Sequence, residues 1–217
     1  MESIKVVWDF ITSGGLAMIP LALCSLIGLA IVIEKLITMR TRKVIVPEIV
    51  SVLDNVTSEK DLSLAQSICK KHNGPFPTLI LTVLQNSHLQ KDELKELVLD
   101  TGRQEIRMLE RGLVALETIA GVAPLLGLLG TVIGILKVFN VIAELGIGEA
   151  SALSGGISEA LITTIVGLSI GIPAVVFFNY FSDRAENLVL EIEKYSSDLI
   201  MKVKQFSQGG VEVSDAA

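Results

Sequence analysis

Charged and aromatic residues are both scarce in this sequence. Asp, Glu, Lys and Arg together make up 19% of the 217 residues, and Phe, Trp and Tyr make up 5%. Without a basic patch interleaved with aromatic residues, the chain is not expected to bind nucleic acid. The two cysteines lie in different settings, Cys24 in an apolar run and Cys69 in a polar one. Neither a disulfide framework nor a metal site is therefore predicted.

The sequence also lacks the motifs that usually carry catalysis or bind cofactors. It contains no phosphate-binding loop, no nucleophile elbow and no zinc signature. His72 and His88 have no candidate ligand at metal spacing. We therefore predict neither an enzyme nor a cofactor.

Apolar residues, by contrast, are abundant and fall in a few long blocks. They form 50% of the chain, and the mean hydropathy is +0.61. No charged residue lies between Thr118 and Leu136, about the length that a helix needs to cross the hydrocarbon core of a bilayer. Phe10–Ile33 is also free of charge, and a third block contains a single carboxylate, Glu159. The composition predicts an all-α membrane protein with three spans.

The distribution of basic residues predicts the orientation of these spans. Lys35, Arg40, Arg42 and Lys43 follow the first apolar run, whereas Lys5 alone precedes it. The positive-inside rule places the N-terminus in the periplasm and the C-terminus in the cytoplasm. A cleaved signal peptide is the alternative for the first run, but acidic residues precede it and no small-residue cleavage site follows. We expect a multi-pass membrane protein.

These patterns divide the chain into segments. We expect an amphipathic periplasmic or interfacial helix (1–15), a first span (16–36), a cytoplasmic helical domain (37–116), a second span (117–143), a periplasmic loop (144–153), a third span (154–182) and a cytoplasmic helix and tail (183–217).

Local signals predict where the helices within these segments begin and end. Thr57 or Ser58 is expected to cap a helix over Glu59–Lys71, and another helix is expected over Thr78–Ser87. A helix starting near Asp92 shows no stop signal and is predicted to run straight into the second span. Ser154 is expected to cap the third span.

Two threonines are predicted to lie at the same depth in the membrane. Thr164 is ten residues from Ser154, roughly 15 Å along a helix, and Thr131 lies near the middle of the second span. Each shares its helix face with small residues, which let helices pack closely in lipid. Those small residues are Gly127, Gly130 and Gly134, and then Ala160, Gly167 and Gly171.

Two interpretations of these hydroxyls stay open. Thr131 and Thr164 either line a polar path or bond back to carbonyls of their own helices while the small faces only pack. Thr163 is the weaker candidate for the path. A threonine cannot store a proton near neutral pH, and neither span has an acid or histidine at the midplane. For a proton path, the titrating acid must come from another subunit.

Lys137 lies within the predicted second span and Glu159 within the predicted third span. Ionisable groups at such positions are costly and are commonly functional. Glu159 is expected to hold a proton or cation at the outer mouth, to pair with Lys137, or simply to favour a helix start. Lys137 alternatively extends to the outer membrane surface.

Two stretches carry a resemblance to a known family. APLLGLLGTVIG at Ala123–Gly134 and GISEALITTIVGLSIGIPAV at Gly156–Val175 resemble the ExbB/TolQ/MotA family of proton-channel motor proteins. The ending GIPAVVFFNYF and the length of three spans are closer to ExbB and TolQ than to MotA. Thr131, Thr164 and Glu159 match the family's functional hydroxyls and carboxylate, whereas Lys137 departs from the neutral residue expected there.

The resemblance implies a protein of the bacterial inner (cytoplasmic) membrane. It also implies a homopentamer that surrounds the single transmembrane helices of an ExbD- or TolR-like partner carrying a membrane aspartate. Proton flow through this complex would energise a TonB- or TolA-like protein. A non-conducting membrane scaffold, a stator of a gliding or flagellar-type motor and a small transporter remain alternatives. The choice between protons and sodium also stays open, although threonines with few other ligands favour protons.

Overall fold

The computed structural model describes residues 14–56, 59–146 and 150–212. Within these ranges the chain forms eight α-helices and no β-strand. The helices are α1 (Met18–Thr38), α2 (Thr41–Val44), α3 (Pro47–Asp54), α4 (Glu59–Cys69), α5 (Pro75–Gln85), α6 (Lys91–Glu110), α7 (Leu113–Leu145) and α8 (Ala150–Glu212). Residues 1–13 of the predicted N-terminal amphipathic helix, the predicted caps Thr57 and Ser58, and residues 147–149 of the predicted outer loop lie outside the described residues.

Three of the described helices, α1, α7 and α8, are long and apolar enough to cross a membrane. Large apolar side chains remain exposed along all three, for example Leu26 in α1, Leu125 in α7 and Ile172 in α8. Such surfaces are unfavourable in water but match the acyl chains of a bilayer. The predicted all-α membrane fold is confirmed.

The chain divides into two compact units. The first, which we call the span unit, contains the described residues up to Glu34 together with Gly112–Tyr180. The second, the polar unit, contains Lys35–Arg111 and the described residues from Phe181 onwards. Helix α8 contributes residues to both units.

The polar unit has its own hydrophobic core. Phe76 and Ile80 of α5 and Leu94 of α6 are fully buried in it. The Phe76 ring also meets the Tyr195 ring of α8 edge to face, with 5.6 Å between ring centroids. Burial of these side chains stabilises a unit whose short helices would be marginal in isolation.

Basic side chains cap the C-terminal ends of several helices in the polar unit. Carbonyls in the last turn of a helix lack intrahelical partners, and a cationic donor satisfies them and interacts favourably with the helix dipole. Three of the four donors come from α8. The bonds join Lys35 Nζ to Leu109 O (2.8 Å), Arg184 Nε to Met39 O (3.3 Å) and Lys202 Nζ to Leu53 O (2.6 Å). The fourth joins Lys204 Nζ to Ser87 O (2.8 Å), in the turn that follows α5.

The predicted unbroken helix from Asp92 into the second span was wrong. Helix α6 ends at Glu110, and α7 begins at Leu113. Between them Gly112 has a φ of 90°, in the left-handed region that favours glycine. A glycine directly after an amphipathic helix is a common stop signal, and here it outweighs the continuing pattern of apolar residues.

The other helix boundaries also differ from the expected ones. Ser154 is not a cap, because α8 already begins at Ala150. The helix expected over Thr78–Ser87 is α5, which starts earlier because Pro75 fits the first position of a helix. The helix expected over Glu59–Lys71 is α4 and ends at Cys69.

Candidate functional site

The second and third apolar helices are joined by a pair of threonine hydroxyls. Thr131 lies in α7 and Thr164 in α8, and their Oγ1 atoms are hydrogen-bonded to each other, with either oxygen able to donate. Both residues are half-buried. The structure therefore brings together the two hydroxyls for which the sequence predicts equal depth.

Two backbone carbonyls lie beside this hydroxyl pair. Thr131 Oγ1 is 3.2 Å from Gly127 O of its own helix and 3.3 Å from Ala160 O of α8. Thr164 Oγ1 is 3.3 Å from Gly127 O across the interface. The bond of Thr131 to its own helix, expected if the hydroxyl only packs, thus coexists with the contact between the two hydroxyls.

This arrangement allows more than one pattern of hydrogen bonds. Each hydroxyl has a single hydrogen but more than one acceptor within reach. Thr131 can donate to a carbonyl while Thr164 donates to Thr131, or Thr164 can donate to Gly127 O while Thr131 donates to Thr164. The hydroxyl hydrogens can therefore reorient without movement of the heavier atoms.

Small residues on α7 and α8 make the close approach of the hydroxyls possible. A Cβ atom added at Gly127 would lie 2.8 Å from Thr163 O and 3.2 Å from Gly167 Cα. One added at Gly134 would lie 2.8 Å from Ala160 Cβ. These contacts also show that the helices run antiparallel, since later residues of α7 meet earlier residues of α8. The small residues predicted to pack are all buried: Gly127, Gly130, Gly134, Ala160, Gly167 and Gly171.

Two side chains that the sequence leaves without a packing role also belong to this interface. Thr163 is fully buried, and its side chain fills the space above Gly130. Its hydroxyl donates to Ala160 O at 2.8 Å and stays outside the hydroxyl pair. Pro124 packs against Gly171, where an added Cβ would lie 2.5 Å from the proline Cγ. In the sequence, the only indication of these contacts is the presence of Gly130 and Gly171, the glycines that face Thr163 and Pro124.

Glu159 and Lys137 form an ion pair. Lys137 Nζ lies 2.5 Å from Glu159 Oε1, and the exposed fractions of the two side chains are 52% and 17% respectively. The sequence leaves several roles open for Glu159, and the structure shows the one in which it pairs with Lys137. Because α8 begins at Ala150, Glu159 lies beyond its first two turns. The helix dipole acts mainly within the first turn, so it does not explain a carboxylate at this position.

Gly15 provides space for the Glu159 carboxylate. It has a φ of 65°, and a Cβ atom added there would collide with the Glu159 side chain. A residue with a side chain at this position would therefore be strained in its backbone and would displace the carboxylate.

The described part of the chain supplies hydrogen bonds to this site but no group that titrates beside the hydroxyls. The sequence has no Asp, Glu or His from Thr118 to Leu136 or from Ala160 to Ser182. Among the described residues there is also no cluster of three or more His, Cys, Asp or Glu side chains able to hold a metal ion. The site can orient or relay a hydrogen bond, but it cannot by itself store a proton.

Comparison with known proteins agrees with these features. Residues 71–194 match the model of the MotA/TolQ/ExbB proton channel family. A protein of Methanothermobacter thermautotrophicus described as a biopolymer transport protein ExbB homolog is 30% identical over 211 residues, which cover 96% of this chain and 72% of that relative.

Shorter matches are found in two further relatives. The biopolymer transport protein ExbB of Xanthomonas campestris is 38% identical over 96 residues, 44% of this chain and 38% of that protein. The Tol-Pal system protein TolQ of Pseudomonas aeruginosa is 41% identical over 86 residues, 40% of this chain and 37% of that protein. Each of these two matches therefore spans less than half of the relative. The family match covers more than half of this chain, and the Methanothermobacter relative aligns along nearly all of it. This chain therefore belongs to the MotA/TolQ/ExbB proton channel family.

Proposed function

We propose that this chain is the channel subunit of an inner-membrane motor driven by the proton-motive force. In this function it acts with an ExbD- or TolR-like partner and energises a TonB- or TolA-type protein. The observation that carries the proposal is the hydroxyl pair of Thr131 and Thr164, which lies between two spans and offers reorientable hydrogen bonds. The family membership supports the same function.

The chemistry of the hydroxyl pair defines what the partner must contribute. A threonine hydroxyl donates and accepts hydrogen bonds but does not ionise near neutral pH. A transmembrane aspartate on a single-span partner would supply the titrating group, and the hydroxyls would pass or orient the proton. The partner helix would occupy the centre of a homopentamer of this chain, so that the apolar faces of the spans contact lipid and neighbouring subunits.

The orientation follows from the charge distribution and is part of the proposal. The N-terminus is placed in the periplasm and the C-terminus in the cytoplasm, with membrane-spanning parts at 16–36, 117–143 and 154–182. With this orientation, Lys137 and Glu159 lie toward the periplasmic end of their helices.

Substitution of the hydroxyls tests the proposed function. Thr131→Val and Thr164→Val keep the shape of the side chain and remove the hydroxyl. We expect each variant to assemble with the partner but to lose proton-driven coupling. The loss is measured as the absence of proton flux in proteoliposomes that contain the complex. The matched control is Thr118→Val in α7, because the Thr118 hydroxyl donates at 2.8 Å to Val114 O of its own helix.

The alternative function is a scaffold that assembles partner proteins without conducting. It is favoured by the bond of Thr131 to Gly127 O, which a purely structural threonine would also make. Full proton flux in both hydroxyl variants, together with normal assembly, would support the scaffold and contradict the proposed channel. The neighbouring reading frame offers a further check: a short protein with one span bearing an aspartate is expected there.

A further inference from the structure

Lys137 has no role in the ion path proposed above, yet it brings a positive charge into an apolar helix. Its Nζ donates a charge-assisted hydrogen bond to Glu159 Oε1, with 2.5 Å between the two atoms. Glu159 is the more buried partner, with 17% of its side chain exposed against 52% for Lys137. Lys137 is thus the more accessible member of the ion pair.

The position of the ion pair relates it to the hydroxyl pair. Lys137 follows Thr131 by six residues, and Glu159 precedes Thr164 by five. At about 1.5 Å per residue these offsets are roughly 9 and 7.5 Å. Because the two helices are antiparallel, both offsets point in the same direction. The ion pair and the hydroxyl pair therefore lie one above the other along the same interface.

We propose that Lys137 determines the ion specificity of this path. Its ammonium occupies the position beside Glu159 that a metal cation would otherwise take, so that the path accepts protons and excludes Na⁺. This inference rests on the proposed function of Thr131 and Thr164 as the ion path.

The ligands on the two helices explain the exclusion. A cation that leaves water needs several oxygen ligands in place of its hydration shell. Glu159 is the single carboxylate of the predicted third span, and its Oε1 already binds Lys137. The hydroxyls of Thr131 and Thr164 bond to each other and to carbonyls. The ammonium also repels a second cation, whereas a proton needs only a chain of hydrogen bonds.

Removal of the ammonium tests the proposal. In Lys137→Met the Glu159 carboxylate loses its ammonium partner, and a Na⁺ ion that keeps water molecules as its remaining ligands can bind there. The full chain in lipid nanodiscs is titrated with NaCl, with KCl as the comparison salt, and Na⁺ binding is followed by the sodium NMR line width. We expect Na⁺ binding in Lys137→Met and none in the wild type. We expect no Na⁺ binding in the double variant Lys137→Met/Glu159→Gln, which lacks the carboxylate, and none in Lys137→Arg, which keeps the positive charge.

A flux measurement connects this binding to transport. In proteoliposomes containing the complex, proton flux by Lys137→Met is expected to be several-fold lower in NaCl than in KCl, whereas flux by the wild type is the same in both salts. Lys137→Gln serves as a second charge-free variant if Lys137→Met does not assemble. Absence of Na⁺ binding in the variant that assembles, or equal binding by the wild type, would overturn the proposal.

The two readouts separate this inference from the proposed function. Sodium NMR requires no ion flux, so it reports on Lys137 even if the hydroxyl variants retain full coupling. Conversely, loss of coupling in Thr131→Val without Na⁺ binding in Lys137→Met would leave the channel function standing and refute the role of Lys137 alone.

Discussion

At the scale of single residues, threonines of the same helix differ in what their hydroxyls bind. Thr118 in α7 donates to Val114 O within its own helix, whereas Thr131 in the same helix also reaches Thr164 and Ala160 O of α8. Helical periodicity alone does not separate these cases, because every helical threonine has a carbonyl of the preceding turn within reach. Thr131 bonds between helices because α8 lies next to it, and the local bond to Gly127 O is present as well.

Cys69 illustrates how burial changes reactivity at one residue. Its side chain is fully buried in the core of the polar unit, and this burial raises the pKa of the Cys69 thiol to about 11. The thiolate is the nucleophile in alkylation. We expect Cys69 in the folded chain to react with iodoacetamide far more slowly than an ordinary thiol at pH 8, measured by mass spectrometry of the labelled peptide.

The control for this prediction is the same chain unfolded in denaturant, in which Cys69 should react like a free cysteine. The raised thiol pKa also makes the free energy of unfolding depend on pH. Above the ordinary thiol pKa near 9 and up to about 11, the unfolded state loses the Cys69 proton while the folded state keeps it. This group's contribution therefore lowers the free energy of unfolding as pH rises through that window. Rapid labelling of the folded chain at pH 8 would contradict the prediction.

At the scale of helices, glycines of α7 and α8 bring the two backbones of the span unit into close contact. A Cβ added at Gly167 would lie 2.7 Å from Ala123 O and 2.9 Å from Gly127 Cα. Backbone in this position cannot move aside as a flexible side chain would. In a membrane, where burial from water does not drive helix association, such close packing is a main source of stability.

We therefore expect Gly127→Ala to destabilise the packing of α7 on α8. Its Cβ would approach Thr163 O to 2.8 Å, and overpacking of this kind typically costs roughly 1–3 kcal/mol. The change should also displace the hydroxyl pair and reduce proton flux. Thermal unfolding of the chain in nanodiscs measures the first effect.

Gly121→Ala is the matched control in the same helix, because a Cβ added there meets nothing within 4 Å. It should be neutral or stabilise α7 by up to about 1 kcal/mol, the usual preference of a helix for alanine over glycine. Equal unfolding temperatures for the two variants would show that the close approach at Gly127 does not limit stability.

Helix ends in the polar unit show a second use of basic residues. In the sequence analysis, Lys and Arg serve only to predict orientation, because loops rich in these residues are expected on the cytoplasmic side. In the structure Lys35, Arg184 and Lys202 also donate to carbonyls near the ends of other helices. The sequence does not show this second role, because each donor is separated by many residues from its acceptor.

At the scale of the whole molecule, the positive-inside rule makes a testable statement about topology. We expect the C-terminus to lie in the cytoplasm, so a reporter fused after Ala217 should be active if it is of the kind that works in the cytoplasm. A reporter inserted in the loop near Gly146, which carries acidic residues but no Lys or Arg, should be active only if it functions in the periplasm. Paired fluorescent and alkaline phosphatase fusions measure both locations.

The control is a chain in which Arg40, Arg42 and Lys43 are replaced by Gln, which weakens the charge bias after the first span and keeps the buried Lys35. This chain should show a mixed orientation, because the bias in Lys and Arg sets topology. A cytoplasmic reporter signal from the loop near Gly146 in the unaltered chain would refute the proposed orientation and would place Lys137 and Glu159 at the opposite end of the path.

The sequence alone predicted the all-α membrane fold and its three apolar helices, and it singled out Thr131, Thr164, Glu159 and Lys137. It did so because the length of an apolar run, the absence of charge and the rise per residue of a helix are properties of consecutive residues. It missed the stop at Gly112, where one left-handed glycine ends α6 although the apolar pattern continues.

Only the tertiary structure decided which groups touch. The bonds between Thr131 and Thr164 and between Lys137 and Glu159 join residues 33 and 22 positions apart, and they depend on how far each helix is rotated and shifted against its neighbour. The small residues make this approach possible, but they do not specify its register. Contact between distant side chains is set by the packing of whole helices, which a linear pattern of residues does not contain.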